Sequence, residues 1–278
     1  MNSSLKPIPG RRPKLIATDL DGTIVHHDNT ISERTVAAFT AAHNAGIQIY
    51  YVTGRPPRWM SEIWDAFGFG NAICANGAML YDLKSSTISE QWLLSVESQF
   101  AVTKALREAI PPVSFAVEIN GTFHREKIYI PRWDAGLDNT GVDVAEDAMT
   151  APALKILARC SQGEFSSDEM LVIATKALEG IASVTHSNPH DSLLEIAALG
   201  VSKGETLAKV AGRLGIDAQD VVSFGDNPND FSMLRWAGRS WALSDGHPEG
   251  PLHAKFIAEP HHHDGVAMII EELLSLPE

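Results

Sequence analysis

The chain has 278 residues, 44% hydrophobic and 21% charged, the make-up of an ordinary globular protein long enough to bury a sizeable core. Its 22 Lys and Arg stand against 35 Asp and Glu, a net charge of −13, which excludes the basic face that a nucleic acid needs. No apolar run reaches the roughly eighteen residues of a membrane-spanning helix, so neither nucleic acid nor membrane is expected as a partner.

Residues 1–13 hold Pro7, Pro9, Gly10 and Pro13 but no signal-peptide-like apolar stretch, and are expected to form a disordered lead-in to a cytoplasmic protein. Arg11-Arg12 lacks the hydrophobic segment of a twin-arginine signal. Leu15-Ile16-Ala17-Thr18 reads as a buried strand. Ser32 is an N-cap, with Thr35 at N3 in place of the glutamate of a full capping box, and opens an amphipathic helix to Asn44 that Gly46 stops. Ile47 to Val52 is a second strand. Pro56-Pro57 opens a helix to about Phe67, and Ala72-Ile73-Cys74 is a third strand. This alternation predicts a parallel sheet with right-handed crossovers.

The pattern changes after about Leu83. A helix over Val96 to Ala109 precedes strands Ser114 to Ile119 and Thr122 to Ile130, joined by the hairpin signal Asn120-Gly121. Pro131 to Thr150 is acidic and irregular. Then follow a strand Leu154 to Cys160, a helix Ser166 to Leu178, and strands Ile181 to His186 and Leu193 to Ala197. Helices and paired strands of this kind predict an α+β insert, residues 85–189, within an α/β core of residues 14–84 and 190–278. The core pattern resumes with a helix Lys203 to Leu214, a strand Val221 to Phe224, a helix Asn229 to Ala237, a strand Ser240 to Leu243 and a closing helix Asp264 to Leu276. Cys74 and Cys160, far apart in apolar company, read as buried reduced thiols.

Three strand ends carry chemistry. Asp19 and Asp21 follow the first strand, where a parallel sheet places its ligands. Side chains two apart share a face, and two adjacent carboxylates call for a cation such as Mg²⁺, which favours hard oxygens. Gly22 and Thr23 let the chain turn away. Thr53-Gly54-Arg55 ends the second strand, offering a hydroxyl and a backbone N–H, although it also reads as a plain strand-to-helix turn. Gly225-Asp226-Asn227-Pro228-Asn229-Asp230 follows a later strand, so Asp226 and Asp230 can close an acidic ring, although such stretches are often only turns. Lys203, at the start of a helix, could bring a cation to a phosphate oxygen.

In this order these segments resemble the haloacid dehalogenase superfamily, and specifically its Cof-like, type IIB branch of capped sugar-phosphate phosphatases. The resemblance runs from Leu15 to Leu274 and includes Asn76-Gly77, Gly200-Val201-Ser202-Lys203-Gly204 and Asp264-Gly265-Val266-Ala267. It implies a Rossmann-like, doubly wound core with a C2B-type α+β cap inserted between the Thr-Gly-Arg and Lys motifs. It further implies a nucleophilic Asp19 that forms an aspartyl-phosphate, with Asp21 as general acid and then base. Mg²⁺ would be held by Asp19, Asp226 and the Asp21 carbonyl, with Asp230 bracing its waters. Thr53, Gly54, Lys203 and Asn229 would bind the phosphoryl group, and Arg55 and Asn76 would line the entrance. The expected substrate is a small phosphorylated metabolite. Two other functions stay open: a phosphomutase or phosphotransferase, and a non-catalytic phospho-acceptor module. Neither the substrate nor the oligomeric state is legible.

The chain departs from that branch at Trp241 to Pro248 and at His261-His262-His263, which reads as a solvated loop ahead of a second metal site. The acidic excursion Trp133 to Asp147 is a further departure. Trp133, Phe123, His124 and Arg125 read as ordinary cap structure ahead of substrate contacts.

Overall fold

Strand β1, Leu15–Thr18, is buried at every position, as suits a strand covered on both faces. It belongs to a computed structural model describing residues 8, 10–131, 141–161 and 163–278. The remaining core elements before the insert are α1 (Glu33–Asn44), β2 (Gln48–Val52), α2 (Ser61–Phe67), β3 (Asn71–Cys74), β4 (Met79–Asp82) and β5 (Thr87–Gln91). The middle of the chain forms α3 (Val96–Ala109), β6 (Ser114–Ile119), β7 (Thr122–Arg125), β8 (Ala153–Arg159), α4 (Ser167–Ala177), β9 (Ala182–Thr185) and β10 (Leu193–Ala198). The chain closes with α5 (Lys203–Arg213), β11 (Val221–Gly225), α6 (Phe231–Trp236), β12 (Arg239–Leu243), α7 (Gly250–His253), β13 (Phe256–Ala258) and α8 (Gly265–Leu274).

Two sheets result. The first has the order β13-β12-β11-β1-β2-β3-β4-β5, with every pairing parallel from β13 through β3 and antiparallel beyond it. Alternation along β1 sends Ile16 toward the cluster holding Phe39 of α1 and Ile270 of α8, and Leu15 and Ala17 toward Leu207 of α5 and Met233 of α6. The sheet is therefore doubly wound. Ser32 caps α1 as expected, accepting from the Thr35 N–H at 3.0 Å.

The second sheet, β7-β6-β8-β10-β9, is antiparallel throughout. One of its faces packs Phe115, Val117, Ile156 and Ile196 against α3 and α4. The opposite face carries Glu118, Lys155 and Glu195, the alternate residues of the same strands, toward the first sheet. This is a Rossmann-like core with an inserted α+β cap.

Several expectations need correcting. The chain crosses into the second sheet between Gln91 and Leu94 and returns after Ala198, later than the 84/85 and 189/190 boundaries. Strands β4 and β5 extend the core sheet as an antiparallel edge hairpin that went unread, because β5 is largely exposed and has no apolar period. Pro56-Pro57 opens a single 3₁₀ turn, Pro57–Trp59, ahead of α2. Strand β7 stops at Arg125, leaving Ile128 and Ile130 exposed. Asn229 lies in a 3₁₀ turn, Pro228–Asp230, that precedes α6. The predicted disordered lead-in is pinned in part: Arg11 grips Asp220 through two hydrogen bonds, and the Arg12 N–H donates to the Pro277 carbonyl. Residues 1–7 and 9 lie outside the described residues, as does Trp133 with much of the acidic excursion. Both cysteines are free and buried, and among the described residues no helix is long and apolar enough to cross a membrane.

Candidate active site

The carboxyl edge of the core sheet collects the charged residues. Asp19 leaves β1, Thr53 leaves β2, Asp226 leaves β11, and Lys203 opens α5. The Lys203 side chain is fully buried and donates to Asp19 Oδ1 at 2.7 Å and to Asp230 Oδ1 at 2.6 Å. The other Asp230 oxygen accepts the backbone N–H groups of Asp226 and Asn227, at 2.9 and 3.1 Å. Asp230 is thereby satisfied on both sides and acts as a brace for the loop. Asp226 accepts from the Asn227 amide at 2.5 Å and the Thr23 hydroxyl at 3.3 Å.

The charges do not balance. Carboxylate oxygens of Asp19, Asp226 and Asp230 lie within 4.8 Å of one another, and Lys203 pairs with Asp19 and Asp230. Burial, then Asp230, pushes Asp19 up to about 7. Burial, then Asp19, pushes Asp226 well above the usual carboxylate range. Both shifts record crowding of like charge away from water. A small divalent cation relieves that crowding, and an all-oxygen donor set suits Mg²⁺, so the residues fit the ion.

Gly22 makes this approach possible. Its φ is +78°, and a Cβ there would stand 2.5 Å from Asp226 Oδ2. Gly22→Ala is therefore expected to raise the Mg²⁺ concentration for half-maximal activity at least tenfold. A metal titration checks this, and unchanged metal dependence would count against the close approach.

Asp21 sits differently. Its carboxylate is half-exposed at the rim, held by Arg55 through Nε at 2.9 Å and Nη2 at 2.5 Å. The Thr53 hydroxyl oxygen accepts the Arg55 N–H at 3.0 Å, which leaves its hydrogen free for an incoming oxygen. Asn229 donates to Asn76 Oδ1 at 3.0 Å, and its own Oδ1 is buried without a partner among the described residues. As placed, Asn229 offers an acceptor, which suits a substrate hydroxyl better than a phosphoryl oxygen.

Sequence reasoning missed the cap's contribution. Lys155 donates to the Gly54 carbonyl at 3.1 Å and to Glu195 at 2.8 Å, and Arg58 pairs with Glu118. The signal was present: a lone charge inside an apolar strand, as in Leu154-Lys155-Ile156 and Leu194-Glu195-Ile196, predicts a paired buried group. A cleft of about 430 Å³ between cap and core is lined by Asn76, Lys155, Glu195, Lys203 and Asn229. Asp19 is not in its wall and is 5% exposed, so that carboxylate is screened from water in this conformation. Phe123 packs on Tyr129, and Arg125 donates to the Tyr129 carbonyl, which makes both ordinary cap structure.

A second contact fastens cap to core. Asp168 Oδ1 lies 2.8 Å from His186 Nε2 and 3.0 Å from His247 Nε2, while the His247 N–H donates to the Asp226 carbonyl at 2.7 Å. Burial holds the His186 pKa below its usual 6.5. The folded protein thus takes up this proton less readily than the unfolded chain. The associated stability is present above about pH 6.5 and is lost as pH falls through it. Wild-type protein is expected to lose more melting temperature than His186→Asn between about pH 7.5 and 5.5. Equal losses would show that His186 does not titrate in this way.

Comparison with known proteins agrees with this architecture. A family model described as haloacid dehalogenase-like hydrolase matches residues 16–270. The 5-amino-6-(5-phospho-D-ribitylamino)uracil phosphatase YcsE of Bacillus subtilis is 26% identical, over 92% of this chain and 94% of its own. The pyridoxal phosphate phosphatase YbhA of Escherichia coli is also 26% identical, over 92% of this chain and 97% of its own. Among solved structures, the HAD subclass IIB sugar phosphatase BT4131 superposes with a TM-score of 0.75 at 21% identity, covering 93% of this chain and 98% of its own. The chain belongs to the haloacid dehalogenase-like hydrolases, with the subclass IIB fold. Within that family it is a phosphatase, a phosphoric monoester hydrolase.

Proposed function

We propose that the enzyme hydrolyses small phosphorylated metabolites, sugar phosphates foremost, in two displacements through an aspartyl-phosphate on Asp19. The observation that carries this reading is the buried group of Asp19, Asp226 and Asp230 around Lys203, at the sheet edge beside Thr53.

The Asp19 carboxylate attacks phosphorus while the bond to the leaving oxygen breaks. Asp21, drawn from its place against Arg55, gives that oxygen a proton. The same carboxylate then takes a proton from the water that attacks the phosphoryl group, releasing phosphate and restoring Asp19. Dividing one hard displacement into two lowers each barrier, and the positioned acid contributes about 10²–10⁴-fold. Lys203, the Thr53 hydroxyl and the Gly54 N–H meet the phosphoryl oxygens, whose charge is the main thing to stabilise. Asp19, Asp226 and the Asp21 carbonyl would hold Mg²⁺, which would supply positive charge to the phosphoryl group. Closure of the cap excludes bulk water.

The cleft favours a polar leaving group. Asn76, Lys155, Glu195 and the unpaired Asn229 oxygen offer donors and acceptors to hydroxyls. YcsE and YbhA are named for phosphorylated metabolites that carry rings as well as hydroxyls, so such compounds belong beside sugar phosphates in the test. The free, buried thiols of Cys74 and Cys160 support a cytoplasmic setting. A panel of several dozen phosphorylated metabolites, assayed with Mg²⁺ and with EDTA, is expected to show phosphate release that requires the metal. A phosphorylated sugar isomerised without release would favour the mutase instead. No release from any ester would leave only a phospho-acceptor.

A further inference from the structure

The histidine run read as a solvated loop acquires partners in the fold. His261–His263 form a 3₁₀ turn just before α8, and Asp245 lies across from it in the loop after β12. His261 Nδ1 stands 2.6 Å from Asp245 Oδ2, and His262 Nδ1 stands 3.3 Å from the same oxygen. The three ligand atoms fall within 4.8 Å of one another. The loop after β1 brings in two more imidazoles. The His27 and His26 rings lie 4.6 and 5.4 Å from the ring of His261, centroid to centroid.

We propose that Asp245, His261 and His262 form a second metal site, selective for a borderline first-row divalent ion of the zinc class and separate from the oxygen-only Mg²⁺ site. Imidazole nitrogens with one carboxylate are the donors such ions prefer, and Mg²⁺ does not. Ligand atoms around a tetrahedral ion with bonds of about 2.0–2.1 Å stand roughly 3.4 Å apart. The His262–Asp245 separation is already close to that, and the His261–Asp245 pair needs to open by less than an ångström. Adjacent side chains diverge on a 3₁₀ turn, yet both Nδ1 atoms face one carboxylate because Asp245 arrives from a different loop. The His263 ring instead lies tilted against that of His262, 4.3 Å away between centroids.

The outer groups also suit a metal. A ligating imidazole needs a partner for its second nitrogen. The His262 side chain is 55% exposed, which leaves its second nitrogen to solvent, and the His26 and His27 rings pack beside the ring of His261. The other candidate, Asp168 with His186 and His247, fails this requirement. His247 Nδ1 accepts the Glu249 N–H at 3.2 Å, which places the ring proton on the nitrogen facing Asp168. His186 Nδ1 is buried with no partner among the described residues, so ligation through its other nitrogen would strand a proton there. That cluster is a hydrogen-bonded clasp. Three protein ligands at the Asp245 site leave a position for water, the arrangement of an exchangeable ion.

Titration of the full-length protein with Zn²⁺ in excess Mg²⁺, followed by calorimetry and by the visible spectrum of Co²⁺, tests the assignment. One equivalent is expected to bind. Asp245→Asn and His262→Ala, whose metal-free melting temperatures should match wild type, are each expected to weaken binding at least tenfold, whereas His247→Ala leaves it unchanged. His262→Gln serves as a second variant if His262→Ala melts low. Absence of binding in Mg²⁺, undiminished affinity in the Asp245 and His262 variants, or loss on His247→Ala would each overturn the proposal.

Discussion

Asp19→Asn is expected to lower kcat by at least about 10⁴-fold, the scale on which removing a nucleophile acts. Asparagine fills the same space and leaves Lys203 paired with Asp230, so the fold should survive. Its effect on stability has a definite sign. Burial and Asp230 raise the Asp19 pKa from 3.8 to about 7 in the folded, metal-free protein. A raised carboxyl pKa means that ionising Asp19 costs stability progressively as pH climbs between those two values. Above them the whole cost is present, and asparagine avoids it. In EDTA at about pH 8 the variant should therefore melt at or above the wild-type temperature, while Mg²⁺ should stabilise the wild type more. Steady-state kinetics and thermal melts check both halves. Activity within tenfold of wild type would sink the nucleophile assignment.

Lys203→Met should damage fold and chemistry together. The ammonium lies between Asp19 and Asp230 with no exposure, and its pKa is raised because these carboxylates outweigh the burial that would lower it. Methionine fills much of the space but leaves two buried carboxylates facing each other. Removing one partner of a buried pair costs about 3–5 kcal/mol, on the order of 10 °C in melting temperature for a chain of this size. The phosphoryl group loses a cation as well, so kcat should fall by about 10²–10³-fold, the scale on which losing one transition-state donor acts. The stability loss should shrink toward pH 5, where Asp19, whose pKa is pushed up to about 7, is protonated and no longer needs the cation. A deficit that is constant with pH would mean that Lys203 supports the fold through packing alone.

The parallel core was legible because each buried strand is a short apolar run with a chemical residue directly after it. Asp19, Thr53 and Asp226 follow such runs and arrive at one sheet edge. Helix starts were legible where a side chain caps them, as Ser32 does for α1. The Asn120-Gly121 turn was readable because both residues adopt the positive φ that this hairpin needs. The hairpin of β4 and β5 was not, since an exposed edge strand has no obligatory apolar face. Short α7 and β13, four and three residues long, fall below the length at which a period shows.

The site divides along the same line. Asp19 and Asp226 announce themselves through local context. The pairing of Lys155 with Glu195 and the grip of Arg55 on Asp21 join distant segments, and only the folded chain decides them. The histidine run was visible, but its carboxylate partner Asp245 stands 16 residues upstream on another loop. No local pattern connects the two.

The account's central claim is attack by Asp19 followed by attack by water, and the stereochemical course at phosphorus tests it most directly. With a substrate whose transferring phosphoryl group is made chiral by oxygen isotopes, two in-line displacements invert the centre twice. The released phosphate is expected to show net retention. Net inversion would mean that water attacks the substrate in a single step, and that Asp19 never carries the phosphoryl group.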